Sequence, residues 1–169
     1  MEKFSIPVIS AIIERLKDGE IEILVQTRWK PKTDPKYSGC LEISAGKIRE
    51  FENVYDALKR EVFEETGLKV VEIFPNIKTK IHSPSNDGSF AFQPFCCQQQ
   101  IKGGQPLIGF VFICQVEDKE PKAQQEECKE IKWIKKYKLK QIFEKTPEKI
   151  FTLQLGVLDY YFNNEQYER

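Results

Sequence analysis

Residues 53–66 (NVYDALKREVFEET) read as a single helix whose inward stripe turns acidic halfway along. Asn53 is a favourable N-cap, and Gly67 can take the left-handed conformation that ends a helix. At about 100° per residue, Val54, Ala57 and Leu58 fall on one arc, the stripe an amphipathic helix turns toward a core. Glu61, Glu64 and Glu65 continue nearly the same arc one to two turns later. That placement is costly. Like charges at i,i+4 cost roughly a few tenths of a kcal/mol, and acids in the last turn oppose the helix dipole by about 0.3–1 kcal/mol. Carboxylates left unpaired near a core cost more again. Arg60 can pair with Glu64, but one guanidinium does not balance three carboxylates. Two readings answer this. A hard divalent cation would neutralise the group, since oxygens at i, i+3 and i+4 can converge beside the helix. A solvated charged face, supported by Lys59 and Arg60, is the other.

The remaining chain must supply the core. Ile, Leu, Val and Phe make up 49 of the 169 residues, well above the level at which disorder is expected. The length suits one domain spanning residues 1–169. The 26 basic and 26 acidic residues cancel, so no net field draws the protein to nucleic acid or an anionic membrane. No apolar run approaches the ~18 residues of a membrane span, and the N-terminus shows no secretory pattern. Five cysteines without a C-x-x-C pair suggest reduced thiols in a cytoplasm rather than disulfides or a zinc site.

The local patterns predict strands over 8–13 and 21–26 joined by a Lys-Asp-Gly-Glu turn, then a loop over 29–39 and a short strand over 41–44. Residues 70–81 are extended, with Pro75 at a bulge or edge. Residues 89–101 and 106–117 read as a long hairpin with Phe90 and Phe92, and Phe110 and Phe112, each pair sharing a face. A strand over 128–134 and helices over 137–144 and 148–162 complete an α+β or mixed α/β pattern.

The spacing over 46–68, GKIREFENVYDALKREVFEETGL, resembles the signature of the Nudix hydrolases, G-x5-E-x7-R-E-U-x-E-E-x-G-U with U aliphatic. Gly46, Glu52, Arg60, Glu61, Val62, Glu64, Glu65, Gly67 and Leu68 fill every specified position. The resemblance implies an α/β/α sandwich, with the box helix and the C-terminal helices packed on a mixed sheet. It implies hydrolysis of a nucleoside diphosphate linked to another moiety, by water attack on phosphorus, with Mg²⁺ or Mn²⁺ as cofactor. By the same resemblance Glu61, Glu64 and Glu65 are metal ligands, joined in some members by the Gly46 carbonyl. Arg60 would orient these carboxylates, with Glu52 as its partner. A box glutamate or one from a later loop would be the general base, and Glu126 and Glu127 are the later candidates. A solvated acidic turn over 124–127 competes with that reading.

For the substrate, the run Leu41-Glu42-Ile43-Ser44-Ala45-Gly46 resembles the E-I/L-P-A-G lead-in of ADP-ribose and nucleotide-sugar pyrophosphatases. Pro84, in His82-Ser83-Pro84, stands about where those enzymes carry a marker proline. Ser44 replaces the lead-in proline and Ser85 the following glycine, so the pattern is incomplete. Nucleoside triphosphates remain the alternative, and a non-catalytic nucleotide-binding module a further one, although such modules usually lose box glutamates. An RNA-end enzyme should carry a basic channel that the charge balance does not suggest. The expected partner is a nucleotide-derived small molecule, not a membrane or nucleic acid, with a homodimer left open. The chain starts close to its first strand, so an extra N-terminal dimerisation sheet is not expected. His82 reads as a structural ring, and the lysine-rich run 132–140 as a solvated edge. A phosphate contact by Arg28 or Lys30 has no motif behind it.

Overall fold

The computed structural model describes residues 2–123 and 128–164. Its centre is the first hairpin. β1 (Ile6–Lys17) and β2 (Glu20–Arg28) pair antiparallel across Asp18 and Gly19, whose φ values are 51° and 78°. A two-residue turn with both φ positive matches the twist of its strands and favours glycine in second place. Residues 8–13 of β1 are buried without interruption, the pattern of a strand covered on both faces.

β1 also runs parallel to β9 (Leu107–Val116), in register from Ile6↔Leu107 to Ile13↔Cys114. Among the described residues the sheet has eight strands, with β10 (Cys128–Lys135) beside β2 at one end and β5 (Val70–Phe74) beside β9 at the other. One parallel pair among antiparallel ones makes it a mixed sheet. Side-chain alternation then builds two cores. Ile9, Ala11, Ile13, Leu24 and Phe112 pack against Val54, Ala57, Leu58 and Val62 of α1 (Val54–Thr66). Ile12, Ile23, Val25, Val111 and Ile113 point the other way. They meet Leu139 of α2 (Lys136–Lys145) and Val157, Leu158, Tyr161 and Phe162 of α3 (Leu155–Asn163). The result is an α/β/α sandwich of the α+β class.

Both ends of α1 are closed by the residues that the sequence offers. The Asn53 side chain accepts a hydrogen bond from the Tyr55 N–H at 2.9 Å, and Gly67 sits at φ 71° with its N–H donating to the Phe63 carbonyl. Asn53→Ala should lower stability by about 1 kcal/mol. A urea melt showing an unchanged midpoint would refute the cap's contribution.

Three local expectations are corrected. The strand expected over 41–44 is two strands: β3 (Leu41–Glu42) pairs with β2, and β4 (Ser44–Lys47) pairs with β1. The long hairpin is real only as β8 (Cys96–Gln99) on β9. Upstream, β7 (Phe92–Gln93) leaves the main sheet to pair with β6 (Ile77–Lys78), and Pro94, which has no N–H to offer, separates the two pieces. Finally, the helix expected over 148–162 is broken into 3-10 turns at Pro147–Lys149 and Thr152–Gln154 before α3. Buried Ile150 bridges Leu41 instead, and the Phe151 N–H donates to the Leu41 carbonyl at 2.8 Å. A sheet contact between these turns interrupts the helix.

Candidate active site

The acidic half of α1 faces β4. Gly46 pairs with Ile9 in the sheet, and its α-carbon is pressed against the Glu61 carboxylate. A Cβ added at Gly46 would lie 1.9 Å from Cδ of Glu61 and within 2.2 Å of both oxygens. Any side chain there would push that carboxylate out of its place. One turn on, the Glu65 carboxylate accepts from the Ala45 N–H at 3.3 Å. Its residue surface still reaches solvent, but the carboxyl itself is enclosed. Burial raises its pKa to about 8, and the charges of Glu42 and Glu61 add to the rise against the opposing hydrogen bonds.

Arg60 organises the remaining acids. Its Nε and Nη2 grip both oxygens of Glu52 at 2.7 and 2.8 Å. Nη1 donates to Glu61 at 2.5 Å and Glu64 at 3.3 Å, and Nη2 donates also to the Lys47 carbonyl at 3.1 Å. All five guanidinium donors are used. The pairing holds the Glu52 carboxyl down at about 2 and raises Arg60 further still.

The three box glutamates are therefore not equivalent. Glu61 and Glu65 lie inside the buried arc of α1, beside Leu58 and Val62, whereas the Glu64 side chain is 39% exposed at its edge and also meets Arg49. Nor do they converge as i, i+3, i+4 spacing suggests. Among the described residues, no three acids, histidines or cysteines stand together as a ready metal site. Arg60 draws Glu61 and Glu64 to one side, while Ala45 holds Glu65. The donor set still fits a hard divalent cation. It is all oxygen, the missing side chain at Gly46 lets the Glu61 carboxylate lie against the backbone, and no cation stands among the groups that shift Glu65. Glu126 and Glu127 lie outside the described residues.

Two residues that spacing did not single out border the site. Glu42 is 8% exposed and is hydrogen-bonded by Arg28 at 3.1 Å and Gln26 at 3.3 Å. Burial raises its pKa, and Arg28 opposes that rise. Arg28 is thereby engaged, since it also pairs with Asp34 at 2.8 Å. The acid at 42 facing inward in an apolar strand was the available signal. Gln154, buried and bonded to Ile43, gave none, because its partner lies 111 positions away.

The other sequence candidates lie apart from this arrangement. His82 pairs with Ser89 at the base of an exposed loop that carries Pro84. Along β10, Lys132 pairs with Glu130 and Lys135 with Glu20, while Trp133 turns toward the α1 core beneath Arg15. All five cysteines are free thiols, and burial pushes Cys96 up to about 12.

A mixed sheet between helices, with this box on the inner face of α1, defines the class of fold. A NUDIX domain model matches residues 6–154, and the chain belongs to that family. No curated protein matches it in sequence. Among solved structures, a MutT protein from Methanosarcina mazei Go1 is 21% identical with a TM-score of 0.67, covering 99% of both chains. The NUDIX domain of Shewanella oneidensis NrtR, solved with ADP ribose, is 12% identical with a TM-score of 0.66, over 95% of this chain and 88% of that one. A Caenorhabditis elegans Ap4A hydrolase is 16% identical with a TM-score of 0.56, over 93% and 95%. At these identities the likeness concerns the fold. Among the described residues, no helix is long and apolar enough to cross a membrane.

Proposed function

We propose that residues 1–169 form one catalytic domain, a Mg²⁺- or Mn²⁺-dependent pyrophosphohydrolase. Its substrate is a nucleoside diphosphate linked to another moiety, of the ADP-ribose or nucleotide-sugar kind. The carrying observation is the Glu61–Glu65 pair packed on the Ala45–Gly46 backbone, with negative charge that Arg60 only partly answers. Glu61 and Glu65 would hold the cation, with Glu64 and the Gly46 carbonyl completing the set. When bound, a divalent cation supplies charge neutralisation at the phosphates, which is most of what phosphoryl transfer demands of a protein. Arg60 keeps Glu61 and Glu64 in place through Glu52 and the Lys47 carbonyl. A box glutamate takes the proton from the attacking water.

The substrate class rests on the Leu41–Gly46 lead-in and Pro84, and gains support from the ADP-ribose-bound neighbour. The test is phosphate release, with added phosphatase, from ADP-ribose, nucleotide sugars, dinucleoside polyphosphates and nucleoside triphosphates, with and without Mg²⁺. Metal-dependent turnover confined to diphosphate-linked compounds is expected. Turnover of triphosphates alone would overturn the substrate class, and silence across the panel would favour a binding module.

A further inference from the structure

Gln154 is 2% exposed, and both halves of its side-chain amide meet a single residue. Oε1 accepts from the Ile43 N–H at 2.7 Å, and Nε2 donates to the Ile43 carbonyl at 2.8 Å. This is the pairing that a neighbouring strand would provide, delivered by one side chain. It falls where such a partner is needed. Ile43 lies between β3, which pairs with β2, and β4, which pairs with β1, so the chain changes partners at this residue. An unpaired peptide group here would be a buried donor and acceptor left without bonds.

Immediately after Ile43 the chain becomes the backbone of the candidate site. Two residues on, the Ala45 N–H donates to Glu65, and three residues on, Gly46 abuts Glu61. On the preceding side, Glu42 is clamped by Arg28 and Gln26. The Ile43 peptide group is thus the fixed point between two anchored stretches. We propose that Gln154 is a positioning residue for the metal-holding backbone: its amide sets the Ile43 peptide and, through it, the placement of Ala45 and Gly46 against Glu65 and Glu61. The inference rests on the hydrolase reading, and it assigns the C-terminal turn before α3 to the active site.

Gln154→Met keeps the side-chain length and removes both hydrogen bonds. It should lower kcat and the affinity for Mn²⁺ by about 10- to 100-fold each, the range for residues that orient metal ligands, with little change in KM. Mn²⁺ affinity is read by paramagnetic resonance on the substrate-free protein. Amide hydrogen exchange over residues 41–47 should quicken in the variant. Ile113→Val is the control: it trims the same core cluster but touches neither bond, and should keep wild-type kcat, Mn²⁺ affinity and exchange. Gln154→Glu accepts from the Ile43 N–H and, once ionised, no longer donates to the carbonyl, so it should show an intermediate loss that deepens as pH rises, and it decides the matter if the methionine variant does not fold. A folded Gln154→Met protein that matches Ile113→Val in all three readouts would reduce Gln154 to core filling and overturn the proposal. If the wild-type protein turns over none of the panel, the hydrolase reading fails, while Mn²⁺ affinity and exchange still decide the role of Gln154.

Discussion

Glu65→Gln should abolish turnover and, in EDTA, make the protein more stable at pH 8 than the wild type. The two effects have one origin. On the proposed role of Glu65 as a metal ligand, removing it from a site that would supply several kcal/mol of charge stabilisation should reduce kcat by on the order of 10³-fold or more, at about 1.4 kcal/mol per factor of ten. The stability gain comes from the Glu65 carboxyl, which burial and the Glu42 and Glu61 charges raise to about 8. An unfolded glutamate titrates near about 4.3. Because the folded value lies above the unfolded one, the folded state binds the extra proton between them, and stability falls as pH rises from about 4 to 8. Glutamine carries no such dependence. Calorimetry in EDTA from pH 5 to 8.5 should therefore show the wild-type Tm falling relative to the variant, and parallel curves would refute the buried-carboxyl origin. On the same proposed role a divalent cation would have to expel that proton, so apparent Mg²⁺ affinity should rise by about tenfold per pH unit, levelling off above about pH 8.

Arg60→Ala should be among the most destabilising single changes on α1. It strips partners from Glu52, Glu61 and Glu64 together and leaves the Lys47 carbonyl without its donor. Breaking a buried pair one-sidedly costs about 3–5 kcal/mol. Glu64 is open to solvent, which screens its share, so a loss of about 2 kcal/mol is expected. The deficit should depend on pH in the opposite sense to that of Glu65. Arg60 depresses the Glu52 carboxyl to about 2, so its stabilisation is full above the ordinary glutamate value and fades as pH falls toward 2. Urea melts of both proteins should accordingly differ most near pH 7 and converge in acid. A gap that stays constant down to pH 3 would show that the ion pairs are not what Arg60 contributes.

The box, the first hairpin and both caps of α1 were legible because each is written in consecutive residues. Asp18-Gly19, Asn53 and Gly67 act within a few positions of themselves, and periodicity placed Glu61 and Glu65 on the inward arc. Periodicity also placed Glu64 there, although it sits at the rim, because an arc drawn at constant angle does not say where the neighbouring sheet ends. Features decided by distant partners were not legible. The split at Ile43, the Leu41–Ile150 bridge that interrupts the C-terminal helix, and the Arg28–Glu42 pair all depend on residues brought together by the sheet. No local propensity reports them. Pro94 did stand in plain view, and its missing N–H was sufficient reason to expect a break in the long hairpin.

The parallel pairing of β1 with β9 has a consequence for synthesis on the ribosome. Residues 8–13, buried without interruption, are made well before their parallel partner, which ends at Val116. At ~5–20 residues per second, the roughly hundred residues between them take about 5–20 s to appear. During that interval β2 and β4 can cover only one edge of the nascent strand, β2 its later half and β4 residues 8–11. The other edge is a template for chaperones or for a neighbouring nascent chain, so this topology links the yield of the protein to how its first hairpin is shielded during translation.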